Sequence, residues 1–224
     1  MSDIKIINTS DGSQSLFIKS LNETYHSTHG ALNESRHVFI DNGLNDWFSQ
    51  SNKKQIRILE VGFGTGLNAL LTWVYAKSYS DIQIDYLTLE PFPLKPEVYH
   101  ELTYHSLIPE IEQSELLSLH QSDFGHKNDY GNFCFRKECI TLQSFREDQL
   151  DLIYFDAFAP NKQMEMWNLE VFERLFDQLN TGGVLVTYCA QGQFKRNLKK
   201  AGFIVQTLPG PPGKKEMVRA IRNT

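Results

Sequence analysis

The sequence predicts an α/β protein: a seven-stranded, mostly parallel sheet with helices on both faces, entered through an N-terminal arm that carries a hairpin. Three observations lead there. From residue 57 onward, short apolar runs alternate with stretches of helical period, the pattern of repeated βαβ units. The last two apolar runs, "FIVQTL" and "EMVRAIR", have only "PGPPGKK" between them, so at least one of them runs antiparallel. Residues 1–56 lack the alternation and read as an arm, leaving 57–224 as the main domain.

Within the arm, "IKIINTSDGSQSLFIKS" places two β-prone stretches around Asp11-Gly12, a hairpin signal with a slightly long loop. "TYHSTHGALNESRHVFIDNGLNDWF" follows, with a helix expected over about 31–40. "RILEVGF" is the first strand of the sheet and "LNALLTWVYAKSY" the helix after it. "IDYLTLE" is the second strand, stopped by "PFPLKP", with helices expected over 96–104 and 108–117. "NFCFRKE" is the third strand, after a loop rich in Gly, Asp and Asn. "LDLIYFDAF" is the fourth and leads into the helix "EMWNLEVFERLFDQL". "GGVLVTYCA" is the fifth, and its helix "QFKRNLKKAG" ends where Gly202 suits a C-cap.

The totals exclude several classes. A chain of 224 residues with 41% hydrophobic and 22% charged residues suits one soluble core. The longest apolar runs, 152–155 and 184–186, are far short of a membrane span, and "MSDIKIINTS" lacks the order of a secretory signal. Cys134, Cys139 and Cys189 form no CxxC pair, so neither a disulfide framework nor a zinc site is expected, and a cytoplasmic location is. The seven histidines show no ligand pair on one face, so no metal is expected, and they read as surface or loop residues. A net charge of −5 argues against a nucleic-acid coat but allows one basic face.

"ILEVGFGTGLNALL" sets Gly62, Gly64 and Gly66 directly after a strand that ends at Glu60. In open parallel sheets, ligands bind outside the C-terminal strand ends. A dinucleotide fingerprint is GxGxxG; here the spacing is GxGxG, and an acid two residues upstream would repel a pyrophosphate. The same acid can receive an α-ammonium, directly or through water, while the glycines admit S-adenosylmethionine close to the backbone. Asn68, in the first turn of the next helix, groups with them. Glu90, ending the second strand, offers two acceptor oxygens to ribose hydroxyls, which suits NAD equally. Glu138 has the analogous place on the third strand and could meet an adenine amine. A tight turn at the glycines and a solvated strand end at Glu90 are the structural alternatives. Seven strands closed by a hairpin is the layout of the Rossmann-like class I methyltransferase fold.

"DAFAP" is the second informative stretch. Asp156 ends the fourth strand at the rim expected for Glu60, while Phe158 and Pro160 stiffen the loop and give apolar walls. Amine methylation needs a neutral nitrogen aimed at a sulfonium methyl, a dry site and a destination for the proton. An acid can hold the amine, and an aromatic face tolerates the sulfonium charge. Asp156 could instead N-cap the following segment.

Together, "EVGFGTGLN", "DAFAP", "MW" and "GFIVQTLPGPPGKKEMVRA" resemble the methyltransferase domain of the bifunctional tRNA 5-methylaminomethyl-2-thiouridine biosynthesis enzyme. "ALNESRHVFIDNGL", with Arg36, is similar to that family's arm, and the likeness runs over about 25–222. It implies S-adenosylmethionine-dependent methylation of the aminomethyl group on the wobble uridine of tRNA. Glu60, Gly62, Gly64, Gly66 and Glu90 would then serve the cofactor, and Asp156 the amine. The family's flavin oxidase domain has no counterpart in these 224 residues, so the aminomethyl substrate would come from a separate enzyme.

For tRNA, Lys195, Arg196, Lys199 and Lys200 cluster on one helix and Lys214, Lys215, Arg219 and Arg222 near the end; Lys214 and Lys215 lie at the rim, placed to grip phosphates. Tyr25, Phe158 and Trp167 are candidates to stack an extruded base. A solvated basic face is the alternative. A methyl- or aminopropyl-transferase for a small polyamine-like amine also remains open. A nicotinamide oxidoreductase is disfavoured by the GxGxG spacing and by the lack of an obvious hydride-handling set.

Overall fold

A computed structural model describes residues 3–223. Its arm begins with β1 (Ile4–Asn8), β2 (Gln14–Ile18) and β3 (Glu23–Thr24), an antiparallel three-stranded sheet turned at Asp11-Gly12 as expected. The helix that follows is longer than the expected 31–40. It runs through α1 (Ala31–Ser35), a π-helical stretch (Arg36–Asn45) and α2 (Asp46–Gln50). Gly43, beyond the expected end, sits inside the helix. A Cβ there would lie 3.0 Å from Val186 Cγ2 and 3.5 Å from Tyr154 Cε1, so its missing side chain lets the helix press on the main sheet.

All seven apolar runs expected as strands join that sheet: β4 (Gln55–Val61), β5 (Gln83–Leu89), β7 (Phe133–Glu138), β8 (Leu150–Phe155), β9 (Leu179–Thr187), β10 (Ile204–Pro209) and β11 (Glu216–Ile221). An eighth, β6 (Lys127–Asp129), pairs antiparallel with β7 at one edge. The order is β10-β11-β9-β8-β4-β5-β7-β6. Strands β7, β5, β4, β8 and β9 are parallel, and β10 and β11 close the sheet as an antiparallel hairpin. The chain leaves β4 toward β5 on one side and returns to β8 on the other, so the ends of β4 and β8 form the topological switch point.

Side-chain alternation divides the core. Ile58, Tyr86, Phe135 and Tyr154 face one way and pack with Phe39 of the arm and Trp73 of α3 (Leu67–Ser78). Leu59, Phe155 and Leu185 face the other way, against Phe172 of α6 (Leu169–Gln178) and Phe194 of α7 (Gly192–Lys200). Each such side chain contributes about 1.5–3 kcal/mol on burial. The arm therefore shares its core with the sheet. At the end of α7, Gly202 N–H donates to the Lys199 carbonyl (3.2 Å) and Phe203 N–H to that of Leu198 (3.1 Å), the paired closure expected of a glycine C-cap.

Two helices are shorter or later than expected. α4 (Pro96–Tyr99) stops before residue 104, and α5 (Gln113–Gln121) starts after 108. α5 begins where Glu112 caps it in a reciprocal box with Glu115, a signal that the apolar pattern around Ile108 and Ile111 conceals.

Candidate active site

The switch point opens into a cavity of about 910 Å³. Its floor is the glycine turn. Gly62 N–H donates to the Leu89 carbonyl (3.0 Å) and Asp156 N–H to that of Val61 (3.1 Å), which ties the ends of β4, β5 and β8 together. Gly62 has φ +94°, and a Cβ on it would fall 2.8 Å from the Asp156 carbonyl oxygen. Gly64 has φ +53°, and its Cβ would meet the Tyr25 ring at 3.0 Å. No L side chain suits either position, so the turn leaves exposed backbone where a ligand can lie. Gly66 stands at the N-cap of α3 and donates its N–H to the Phe63 carbonyl (2.8 Å), outside the cavity wall.

Three acids surround the turn. Glu60 is wholly buried beneath it, not on the cavity wall, and neither of its oxygens has a partner in hydrogen-bond geometry. Burial raises its pKa to about 8, eased by the nearby Thr88 and Tyr86 hydroxyls and the Asn68 amide, and Asp156 adds to the rise. Glu90 lines the cavity and accepts the N–H groups of Gly64 and Phe92, both at 2.9 Å. Burial raises its pKa above the ordinary value, against the lowering by those two donors and Lys137. Asp156 also lines the cavity and accepts from Asn68 Nδ2 at 2.9 Å. Burial lifts it to about 7; the Asn68 bond and Lys214 lower it, and Glu34 raises it. It caps no helix: α6 is capped by Asn168, which accepts from Val171 N–H (3.1 Å). Tyr25 and Phe158 meet edge to face at 5.2 Å between them.

Several expected residues lie elsewhere. Trp167 cannot stack a base. It is 4% exposed, packs on Phe155 and Phe194, and donates Nε1–H to the Phe158 carbonyl (2.8 Å), so it supports the loop from beneath. Pro160 is absent from the cavity wall, as is Glu138, whose carboxylate pairs with Arg136 at 3.6 Å. Arg36 and Lys215 are exposed and away from the cavity. Lys214 is no free phosphate contact; it pairs with Glu34 at 2.6 Å. The histidines are not all peripheral: His26 is buried and lines the cavity, with burial lowering its pKa to about 4.

His26, Glu34 and Tyr188 are the residues that sequence reasoning missed. Glu34 carried a signal: it lies three residues after Ala31 and four before Val38, on the apolar face of its helix, where an acid needs a reason.

A family model described as S-adenosyl-L-methionine-dependent methyltransferase matches residues 116–223. Over those residues, just under half of its length, the chain is similar to the S-adenosyl-L-methionine-dependent methyltransferases. The chain is 32% identical over 214 residues to the tRNA 5-methylaminomethyl-2-thiouridine biosynthesis bifunctional protein MnmC of Leptospira interrogans, covering 89% of this chain and 32% of the relative. Its identity to the Cupriavidus metallidurans protein of the same name is 30% over 221 residues, covering 88% and 31%. The chain thus spans about a third of the length of these relatives. Among solved structures, it shares its fold with MNMC2 from Aquifex aeolicus (TM-score 0.77, 23% identity, 99% of this chain and 71% of that one). It also shares it with spermidine synthase from Thermotoga maritima (TM-score 0.61, 14% identity, 98% and 69%).

The methyl donor is S-adenosyl-L-methionine. The site suits it on its own terms: a side-chain-free turn, an unpartnered buried Glu60 with the equally unpartnered Asn68 Oδ1, and the Glu90 carboxylate on the cavity wall. Among the described residues, no group of three or more His, Cys, Asp or Glu side chains could hold a metal, and no helix is long and apolar enough to cross a membrane.

Proposed function

We propose that this methyltransferase acts on an exocyclic amine, the aminomethyl group on the wobble uridine of tRNA. One observation carries the amine reading: Asp156, a cavity-wall carboxylate held by Asn68 beside the glycine turn, with its pKa brought to about 7 by burial. The names of the relatives support the tRNA. An acceptor of that kind fits a cytoplasmic enzyme and calls for a preceding reaction that forms the aminomethyl group. Residues 1–56 act as an accessory arm to the domain over 57–224 and supply one wall of the acceptor site through Tyr25 and His26.

Glu90 and the Gly62–Gly64 backbone would hold the nucleoside part of the cofactor, and Asn68, backed by Glu60, its amino-acid part. When bound, the cofactor supplies an electrophilic methyl group on a sulfonium. The remaining steps belong to this chain. Asp156 draws in the acceptor as an ammonium ion, fixes its direction and takes its proton, freeing the lone pair. A carboxylate with a pKa near 7 does this more readily than one near 4, since less of the driving force is lost in the transfer. Tyr25 and Phe158 present apolar ring surface and exclude water.

A small free amine is the second reading, and one observation favours it. Three cations of the expected basic face are already paired: Lys214 with Glu34, Lys195 with Glu216 and Arg219 with Asp46. Incubation with methyl-labelled cofactor and either aminomethyl-bearing tRNA or free polyamines separates the two. Label on the exocyclic nitrogen of the uridine supports the tRNA reading; label in polyamines alone rejects it.

A further inference from the structure

Three distant parts of the chain meet beside Asp156. Glu34, on α1, is 5% exposed, and both of its oxygens are engaged: Oε1 accepts from Lys214 Nζ at 2.6 Å and Oε2 from Ser27 N–H at 3.0 Å. Lys214, in the turn between β10 and β11, also lies 3.8 Å from the centroid of the Tyr188 ring. Tyr188 lines the cavity and donates its hydroxyl to the carbonyl of Ala157 (2.8 Å), the neighbour of Asp156. The turn is held to the arm at two further points. His37 Nε2 hydrogen-bonds the Pro209 carbonyl at 2.9 Å, and Gly213 sits so close to the His29 ring that no Cβ would fit. A cation clamped between a buried acid and an aromatic face, next to the acceptor carboxylate, is an expensive arrangement to keep for a turn alone.

We propose that the Glu34–Lys214 pair is a charge balance for the acceptor site, a positioning device that fixes the net charge met by Asp156 and by the incoming amine. The inference rests on the amine-methylation reading above. Glu34 unpaired would hold the acceptor as ammonium, the form without a lone pair. Lys214 unpaired would repel that ammonium on entry. Paired, they leave Asp156 as the carboxylate that meets the amine, and Tyr188 relays the position of Lys214 to the loop that carries Asp156. The groups facing Asp156 are Asn68 from α3, Glu60 from β4, Tyr86 from β5, Tyr188 after β9, Glu34 from α1 and Lys214 from the closing turn. Of these, Glu34 and Lys214 act on Asp156 with opposite sign, Glu34 raising its pKa and Lys214 lowering it, on top of the dominant effect of burial.

Opposite signs make the test distinctive. With Lys214→Met, Glu34 is uncompensated, Asp156 binds its proton more tightly, and the acid limb of the methyl-transfer rate moves to higher pH. With Glu34→Gln, which keeps an acceptor for Ser27 N–H, the limb moves to lower pH. Combining the two substitutions brings it back toward wild type, and Lys214→Arg rescues. A limb displaced by one unit is about a tenfold change in rate on the acid side. Single-turnover rates across pH read the limb, and carbon-13 NMR titration of the Asp156 carboxyl in the free protein reads the same coupling without turnover. Opposite shifts in the two single variants are expected by both methods. Shifts of the same sign, or none, in folded protein overturn the proposal. If Lys214→Met does not fold, Glu34→Gln decides by the sign of its shift alone. If wild type methylates no amine, the functional reading fails, while the NMR titration still decides whether the pair sets the charge at Asp156.

Discussion

Glu60→Gln should stabilise the free protein and weaken its hold on the cofactor, and the structure sets the size and the pH window of the first effect. Glu60 is wholly buried with both oxygens unpartnered, and burial raises its pKa from 4.5 to about 8. Between those two values the folded protein keeps a proton that the unfolded chain has lost. Folded-state stability attributable to this residue therefore falls as pH rises through the window, and the full cost is present above about pH 8. A displacement from 4.5 to about 8 is worth about 5 kcal/mol. Gln is nearly isosteric and stays neutral, so it avoids this cost. The two proteins should unfold alike near pH 4.5. By pH 9 the variant should be the more stable by up to about 5 kcal/mol, roughly 10–20 °C in Tm for a chain of this size. Thermal unfolding of the free proteins from pH 5 to 9 at fixed ionic strength measures it. A Tm difference that stays constant over this range would refute the reasoning. With cofactor present, calorimetry should show binding weakened by roughly 1–3 kcal/mol, because Asn68 loses the carboxyl that backs its hold on the amino-acid part of the ligand.

Glu90→Ala removes the acceptor for the Gly64 and Phe92 N–H groups, and calorimetry should find cofactor affinity reduced by roughly 1–3 kcal/mol. Gly62→Ala forces a Cβ to within 2.8 Å of the Asp156 carbonyl oxygen at a φ of +94°, so stability in urea should fall by about 2 kcal/mol and cofactor binding should be lost; unchanged binding would mean that the turn does not carry the ligand. Trp167→Phe loses the bond to the Phe158 carbonyl and should lower stability by about 1 kcal/mol, with tRNA affinity in a salt-series gel shift unaltered.

The sheet and its ligand rim were legible because their signals are local. "EVGFGTG" and "DAFAP" each place an acid at a strand end followed by a turn, and the topology alone brings those ends together. The helix of the arm was legible only in part. Its continuation past residue 40 runs through Gly43, and the reason for a missing side chain inside a helix lies in Val186 and Tyr154, more than a hundred residues away. β6 was invisible because its three residues, Lys127 to Asp129, are polar and owe their strand to pairing with β7. Charges were read worst. Lys214 finds Glu34 across 180 positions, and nothing near either residue distinguishes a clamped lysine from a free one. Trp167 misled because an aromatic beside an acidic loop looks the same in sequence whether it faces a ligand or supports the loop from the core.

The central claim is that Asp156 receives the amine, and Asp156→Asn tests it most directly. Asn keeps the shape of the side chain but cannot take the proton. Single-turnover methyl transfer from labelled cofactor should fall about a hundredfold or more, with cofactor affinity near wild type and thermal stability at or above it, since Asn also avoids the cost of ionising a buried carboxyl. Because Asp156 titrates at about 7, the wild-type rate should rise with pH through that value. The variant should lack that limb and recover in part at alkaline pH, where more of the acceptor is already neutral. A wild-type rate and pH profile in Asp156→Asn would contradict the account and place the handling of the amine elsewhere.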